Sequence, residues 1–275
     1  MTTPYQHQGA PGAVYSSPIP IRRAHLGDAI ASEWTKIRSV RSTIWTLSVM
    51  ALLLVGIGLA VAAAITTSDA NVEDQPILSL GFFGVLLGSL CVMTLGVLTV
   101  ASEYGTGMIR TTLTACPTRG RVLTAKAIVF FALVFTVTLA LTLFVGVAQV
   151  AIIDQGSPTT QEWLRSTLGV SLYLALLGLL SLAVGSMIRH SAGAITIMIG
   201  LVLLPLVMAM FMFTESLSWL QDALLEYSIP SQLGVLYDNS VTQSGPMGWE
   251  PLWIMLGIAA VALGAAYTML NSRDV

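Results

Sequence analysis

Residues 44–65 read IWTLSVMALLLVGIGLAVAAAI, with no charged residue among them. As a helix, about 20 such residues cross the roughly 30 Å of hydrocarbon in a bilayer. Ala60-Val61-Ala62-Ala63-Ala64 resembles the small-residue cleavage site of a secretory signal. Yet about forty residues precede the run, far more than the n-region of a signal peptide, so it reads as an uncleaved first span. Five further apolar runs follow, at 79–101, 127–150, 167–188, 192–213 and 251–270. The chain is 55% hydrophobic and 9% charged, with mean hydropathy +0.81. A soluble domain carries about 25% charge, so there is no room for a large soluble catalytic domain. The expected fold is an all-α integral membrane protein with six transmembrane helices.

The charges between the runs sort by sign. Arg22, Arg23, Lys36, Arg38 and Arg41 precede the first run, and Arg110, Arg119, Arg121 and Lys126 separate the second from the third. Arg189 lies between the fourth and fifth, and Arg273 follows the sixth; only Arg165 falls on the opposite side. Lys and Arg are retained in the cytoplasm as segments insert. Both termini are therefore expected in the cytoplasm of a cell-membrane protein. Asp69, Glu73, Asp74, Asp154, Glu162, Glu215, Asp222, Glu226, Asp238 and Glu250 all lie on the basic-poor side.

Residues 1–23 are rich in small and polar residues and in Pro, and read as a disordered cytoplasmic tail; 24–275 form one membrane unit. Within it, Leu26, Ile30, Trp34, Ile37 and Val40 recur at helical spacing. Lys36, Arg38 and Arg41 are placed to reach headgroups while Trp34 sits at the interface, giving an amphipathic helix on the inner leaflet. A surface helix touching a soluble partner is the alternative. Leu217, Leu220, Leu224 and Tyr227 form a second stripe, which Ile229-Pro230 ends. One or two short helices dipping into the outer interface are expected in 214–250.

Several chemistries are missing. The six runs contain no Asp, Glu, Lys or His, whereas ion-coupled transporters bury such groups on their pathways. There is no Walker A loop, no G-x-S-x-G and no H-E-x-x-H. Gly88-Ser89 and Gly185-Ser186 have no histidine on a facing span to serve as base. His7, His25 and His190 are scattered, so no metal site is expected. Cys91 in a span and Cys116 in a cytoplasmic loop do not suggest a disulfide. The chain is not expected to be an enzyme or to bind nucleic acid.

The specific stretch is 101–126, ASEYGTGMIRTTLTACPTRGRVLTAK. It reads as a short cytoplasmic helix, a Pro turn and a basic helix leading into the third span. Thr106 is expected to cap the short helix near Gly107. Pro117 stops it. Arg119, Arg121 and Lys126 anchor the return to the membrane, although any inner loop collects basic residues. Glu103, the one acid in the loop, is either simply hydrated or interacts with the exposed N–H groups at the helix start.

This stretch resembles the permease subunits of ABC transporters of the type-2 exporter family, in which an E-x-G-T…L…P-x-x-R…K loop presents a coupling helix to the ATPase. Glu103, Gly105, Thr106, Leu113, Pro117, Arg119 (or Arg121) and Lys126 fall on that pattern, with Arg110 inside the helix. Glu33-Trp34-x-Lys36 matches the family's connecting helix, and the six spans and large outer segment match its topology. Gly120 departs from it, since helix formers are commoner there. The importer-type E-A-A loop is absent.

The resemblance implies an ATP-driven exporter subunit, paired with a second permease copy and with ATPase subunits that carry the ATP and Mg; this chain itself holds no cofactor. The competing class is a membrane scaffold or sensor whose loop docks a regulatory protein. Uncharged spans suit a hydrophobic or amphipathic substrate. Candidate lining residues are Phe82, Phe83, Ser89, Met93 and Thr94 on the second span, and Met208, Phe211 and Met212 on the fifth. Ordinary packing or lipid contact is the competing reading of such Met and aromatic stripes.

Overall fold

A computed structural model describes residues 25–68, 76–116, 118–153, 157–212, 214–239 and 244–272. The expected tail over 1–23 and the Pro117 stop lie outside these residues. In order, the helices are α1 Leu26–Ser39, α2 Arg41–Thr67, α3 Phe82–Gly105, α4 Met108–Ala115, α5 Arg119–Ile153, α6 Thr160–Trp163, α7 Val170–Ile188, α8 Ser191–Met210, α9 Ser218–Glu226, α10 Ile229–Leu236 and α11 Glu250–Ser272. A 3-10 turn, Ile77–Gly81, leads into α3, and a π stretch, Leu164–Gly169, joins α6 to α7. No strand occurs among the described residues. Six helical segments are long and apolar enough to cross a membrane, and the chain is a multi-pass membrane protein of all-α class.

The ends of these segments alternate between a basic end, carrying Arg41, Arg119 and Arg189, and a basic-poor end. At the centre stands α7. Of the most apolar window of the segment Thr160–Ile188, 83% is buried, against 22% for α2, 22% for α8 and 17% for α11. α3, α5, α8 and α11 pack on α7, and α2 fills the space between α3 and α5.

Glycine makes the closest of these contacts possible. A Cβ on Gly96 would lie 2.6 Å from the carbonyl oxygen of Gly178, and one on Gly84 would lie 3.0 Å from that of Leu54. Backbone meets backbone there, as small-residue stripes permit. On α11 there is no such contact: among the described residues, Gly257 and Gly264 have no atom within 4 Å of a built Cβ.

Three segments bear on the sequence reading. First, the basic segment before 127 is helix, as that reading has it. α5 begins at Arg119 and runs 35 residues, about 52 Å at 1.5 Å per residue, so it projects well past a 30 Å hydrocarbon layer. Second, Arg165, the exception to the charge sorting, is bound by Asp238 in an ion pair between the π stretch and the end of α10. Third, Ile229-Pro230 opens a helix as well as closing one. Ser228 accepts a hydrogen bond from the Ser231 N–H, and Pro230 sits in the first turn of α10, where its missing N–H costs nothing. The stripe Leu217–Tyr227 stays largely at the surface, while Ile229, Leu233 and Leu236 of α10 enter the core.

Candidate functional site: a four-residue ion cluster

Val40 is extended (φ −83°, ψ 117°), and this breaks α1 from α2 and turns α1 aside to lie on α5. Leu26, Trp34 and Val40 of the expected apolar stripe remain exposed, with Arg38 stacked over the Trp34 ring at 5.8 Å. The face turned inward carries Glu33, Lys36 and Ile37. Lys36 thus does not lift toward headgroups, as the sequence reading had it; it points into the protein.

There it meets charges from two other helices. Lys126 of α5 donates to Glu33 Oε2 at 2.6 Å, to Glu103 Oε1 at 2.6 Å and to the Thr99 carbonyl at 3.5 Å. Lys36 donates to Glu33 Oε1 at 2.7 Å, to Glu103 Oε1 at 3.1 Å and to Thr112 Oγ1 at 3.2 Å. An ammonium has three N–H donors, and each lysine has three acceptors. Two carboxylates balance two ammonium groups, which lowers the cost of taking them from water. Glu33, Glu103 and Lys126 are only 3%, 2% and 2% exposed. Glu103 Oε2 is buried without a hydrogen-bond partner among the described residues. Burial by itself depresses the Lys36 pKa, but its hydrogen bond to Glu33 and the charges of Glu103 and Glu33 outweigh it and hold the ammonium above the ordinary lysine value.

Both sequence readings of Glu103 are thereby corrected. It is not hydrated, and its partners are Lys36 and Lys126, not the start of α4. The expected Thr106 cap is also absent. Thr106 Oγ1 donates back to the Ser102 carbonyl at 2.8 Å, and Gly107 precedes α4 as its N-cap, with no side-chain cap. Gly107 has φ +72°, the left-handed conformation that glycine adopts without steric cost. Gly105 is the last residue of α3, in ordinary helical backbone. Ile109 is the one buried residue of α4, while Arg110, Thr111 and Thr114 face outward. A groove of about 360 Å³ runs between α1 and α4, lined by Asp28, Ser32, Lys36, Met108, Thr112 and Cys116.

The remaining basic residues have separate tasks. Arg119 donates to the Leu270 carbonyl at 2.8 Å, joining the start of α5 to the last turn of α11. Beside it, a Cβ on Gly120 would come within 2.4 Å of the Tyr267 ring, which accounts for a glycine where a helix former was expected. Arg121 is half-buried on the first turn of α5. Arg189 ends α7 in left-handed conformation and lies 5.0 Å from the Tyr104 ring.

The candidate substrate-pathway residues are not brought together. Ser89 and Met93 are buried in the core, and Ser89 and Thr94 donate to carbonyls of their own helix. Phe82 packs edge-on against Phe83 and Tyr237, while Phe83, Met208 and Phe211 are exposed and Met212 is half-buried. A groove of about 500 Å³ lies elsewhere, between Phe131 of α5, Leu172 and Leu176 of α7 and Trp253 of α11. No three His, Cys, Asp or Glu residues converge as metal ligands among the described residues.

The sequence reading missed the link from Glu33 to Lys126. Its signal was present, since Glu33 and Glu103 are acids on the basic side of the charge sorting. Comparison with protein-family models and with curated proteins gave no match. Fold and site define a multi-pass membrane protein whose short basic-end helix is bolted to two membrane-crossing helices through buried charge.

Proposed function

We propose that this chain is the permease subunit of an ATP-driven exporter of the type-2 ABC family. It works in the cell membrane with both termini and the basic end in the cytoplasm. Its partners are a second permease copy and separate ATPase subunits that bind ATP and Mg. One observation carries the reading. The four-charge cluster links α1, α3, α4 and α5, so a push on the exposed face of α4 reaches two membrane-crossing helices through Thr112, Lys36 and Glu103. α4 is then the coupling helix, and Glu103 transmits. The apolar groove between α5, α7 and α11, and the lack of charge in the spans, support a hydrophobic or amphipathic substrate.

The test is to purify the chain from its own membranes in mild detergent and identify what accompanies it. The expected companion is an ATPase with a Walker A loop, whose hydrolysis in liposomes rises when the permease is present. Glu103→Gln keeps the ATPase bound but lowers that stimulation. A companion without a nucleotide site would favour the scaffold reading, and unchanged stimulation by Glu103→Gln would remove Glu103 from the transmission path.

A further inference from the structure

At the basic-poor end, polar groups from three segments face one small cavity. Gln149, near the end of α5, donates from Nε2 to the Gly58 carbonyl of α2 at 3.1 Å. Its Oε1 meets no protein donor among the described residues, and the Tyr237 hydroxyl at the end of α10 meets no protein acceptor there. Burial pushes the Tyr237 phenol pKa up, so it stays a protonated donor. Both groups open onto a cavity of about 10 Å³ that Thr142 and Ser166 also line. Those two hydroxyls donate to carbonyls of their own helices, Leu139 at 3.2 Å and Glu162 at 2.7 Å, and keep lone pairs to offer. The fourth wall is Gly81. A Cβ built on it would stand 3.6 Å from the Tyr237 oxygen and 3.8 Å from Gln149 Oε1.

We propose that this cavity is a binding site for a single structural water, which accepts from Tyr237 and donates to Gln149 Oε1. The volume is on the order of what one water needs, and the lining supplies the two to four polar partners that hold one. Gln149 and Tyr237 are only 1% and 5% exposed, and a donor and an acceptor left unpaired at such burial are costly. A bridging water is nearly as good as a direct hydrogen bond. It straps α10 to α5 and, through Gln149 Nε2, to α2. This site is independent of the transport reading.

Gly81→Ala tests it. The backbone at Gly81 (φ −75°, ψ −12°) suits alanine, and every neighbour of the new Cβ lies at ordinary contact distance, so the variant folds. In a dry cavity the added methyl fills space and stiffens the turn, and the melting temperature rises. In a hydrated one the methyl takes the water's place and leaves Tyr237 and Gln149 unpaired, so the melting temperature falls. The same substitution is then made in a Tyr237→Phe, Gln149→Met background, which has nothing to hydrate, and there it raises the melting temperature. This reversal of sign is the expected result, together with one ordered water between Tyr237 and Gln149 in a structure that resolves waters. A rise in both backgrounds overturns the proposal, as does a fall in both.

Discussion

Lys126→Met removes the cation shared by two buried carboxylates. Glu33 Oε2 and Glu103 Oε1 each lose a 2.6 Å charge-assisted bond, and Lys36 alone remains to face two negative charges. Breaking a buried pair from one side costs about 3–5 kcal/mol. For a chain of this size each kcal/mol lowers the melting temperature by about 2–4 °C, so the expected fall is roughly 6–20 °C. Lys36→Met makes the control. Its side chain is 25% exposed, and its loss leaves Lys126 between both carboxylates. Water can reach the gap, so the cost is that of a partly screened pair, about 1 kcal/mol. Cys91 and Cys116 are free and at least partly covered, so a thiol-reactive dye reports unfolding in detergent without further labelling. Equal falls for the two lysine variants, or a change of under about 2 °C for Lys126→Met, would refute the buried-cluster energetics.

Two further outcomes are expected. Gly96→Ala drives a methyl against the Gly178 backbone and lowers the melting temperature strongly, by the mechanism of core overpacking, whereas Gly257→Ala on the open face of α11 leaves the isolated chain unchanged; thermal melts of both variants check this. In a background with Cys91 and Cys116 replaced, Ser157→Cys and Ser218→Cys are labelled by an impermeant reagent only from outside the cell. Labelling from the cytoplasmic side alone would invert the proposed orientation.

The six crossing segments were legible because hydrophobic length is a local property: each can be read without knowing what it touches. What lies at their ends was not local. Glu33 and Lys126 stand 93 positions apart, and no helical periodicity joins them. Reading Lys36 as a headgroup ligand failed for a related reason. A lysine beside an apolar stripe suits a membrane surface equally well, and only the position of α5 decides which way α1 turns. The same holds for the basic-poor end. Ser228 and Pro230 do carry a helix start in their spacing, but the burial of α10 depends on the gap that α3, α7 and α11 leave. The hint the sequence did carry was charge of the wrong sign. Acids are rare on the basic side, and Glu33 and Glu103 each hold a lysine there.

Why this joint is ionic follows from what charge can do that apolar packing cannot. Well-packed hydrophobic side chains would hold α1, α3 and α5 with comparable or greater strength. Such a seam resists separation, but it resists rotation and sliding only through shape. In the cluster, all six N–H donors of Lys36 and Lys126 have named acceptors. Hydrogen bonds weaken steeply as their angle departs from linear, so the arrangement fixes the angle at which α1 and α4 meet the bundle. Lys36 is the member that water reaches, and it holds the cluster's hydroxyl contact with α4. The joint is stiff where Lys126 closes it and yielding where Lys36 meets Thr112. A force on α4 therefore acts first on the bond from Lys36 to a neutral hydroxyl and reaches α3 and α5 through the charge-assisted bonds of Lys126.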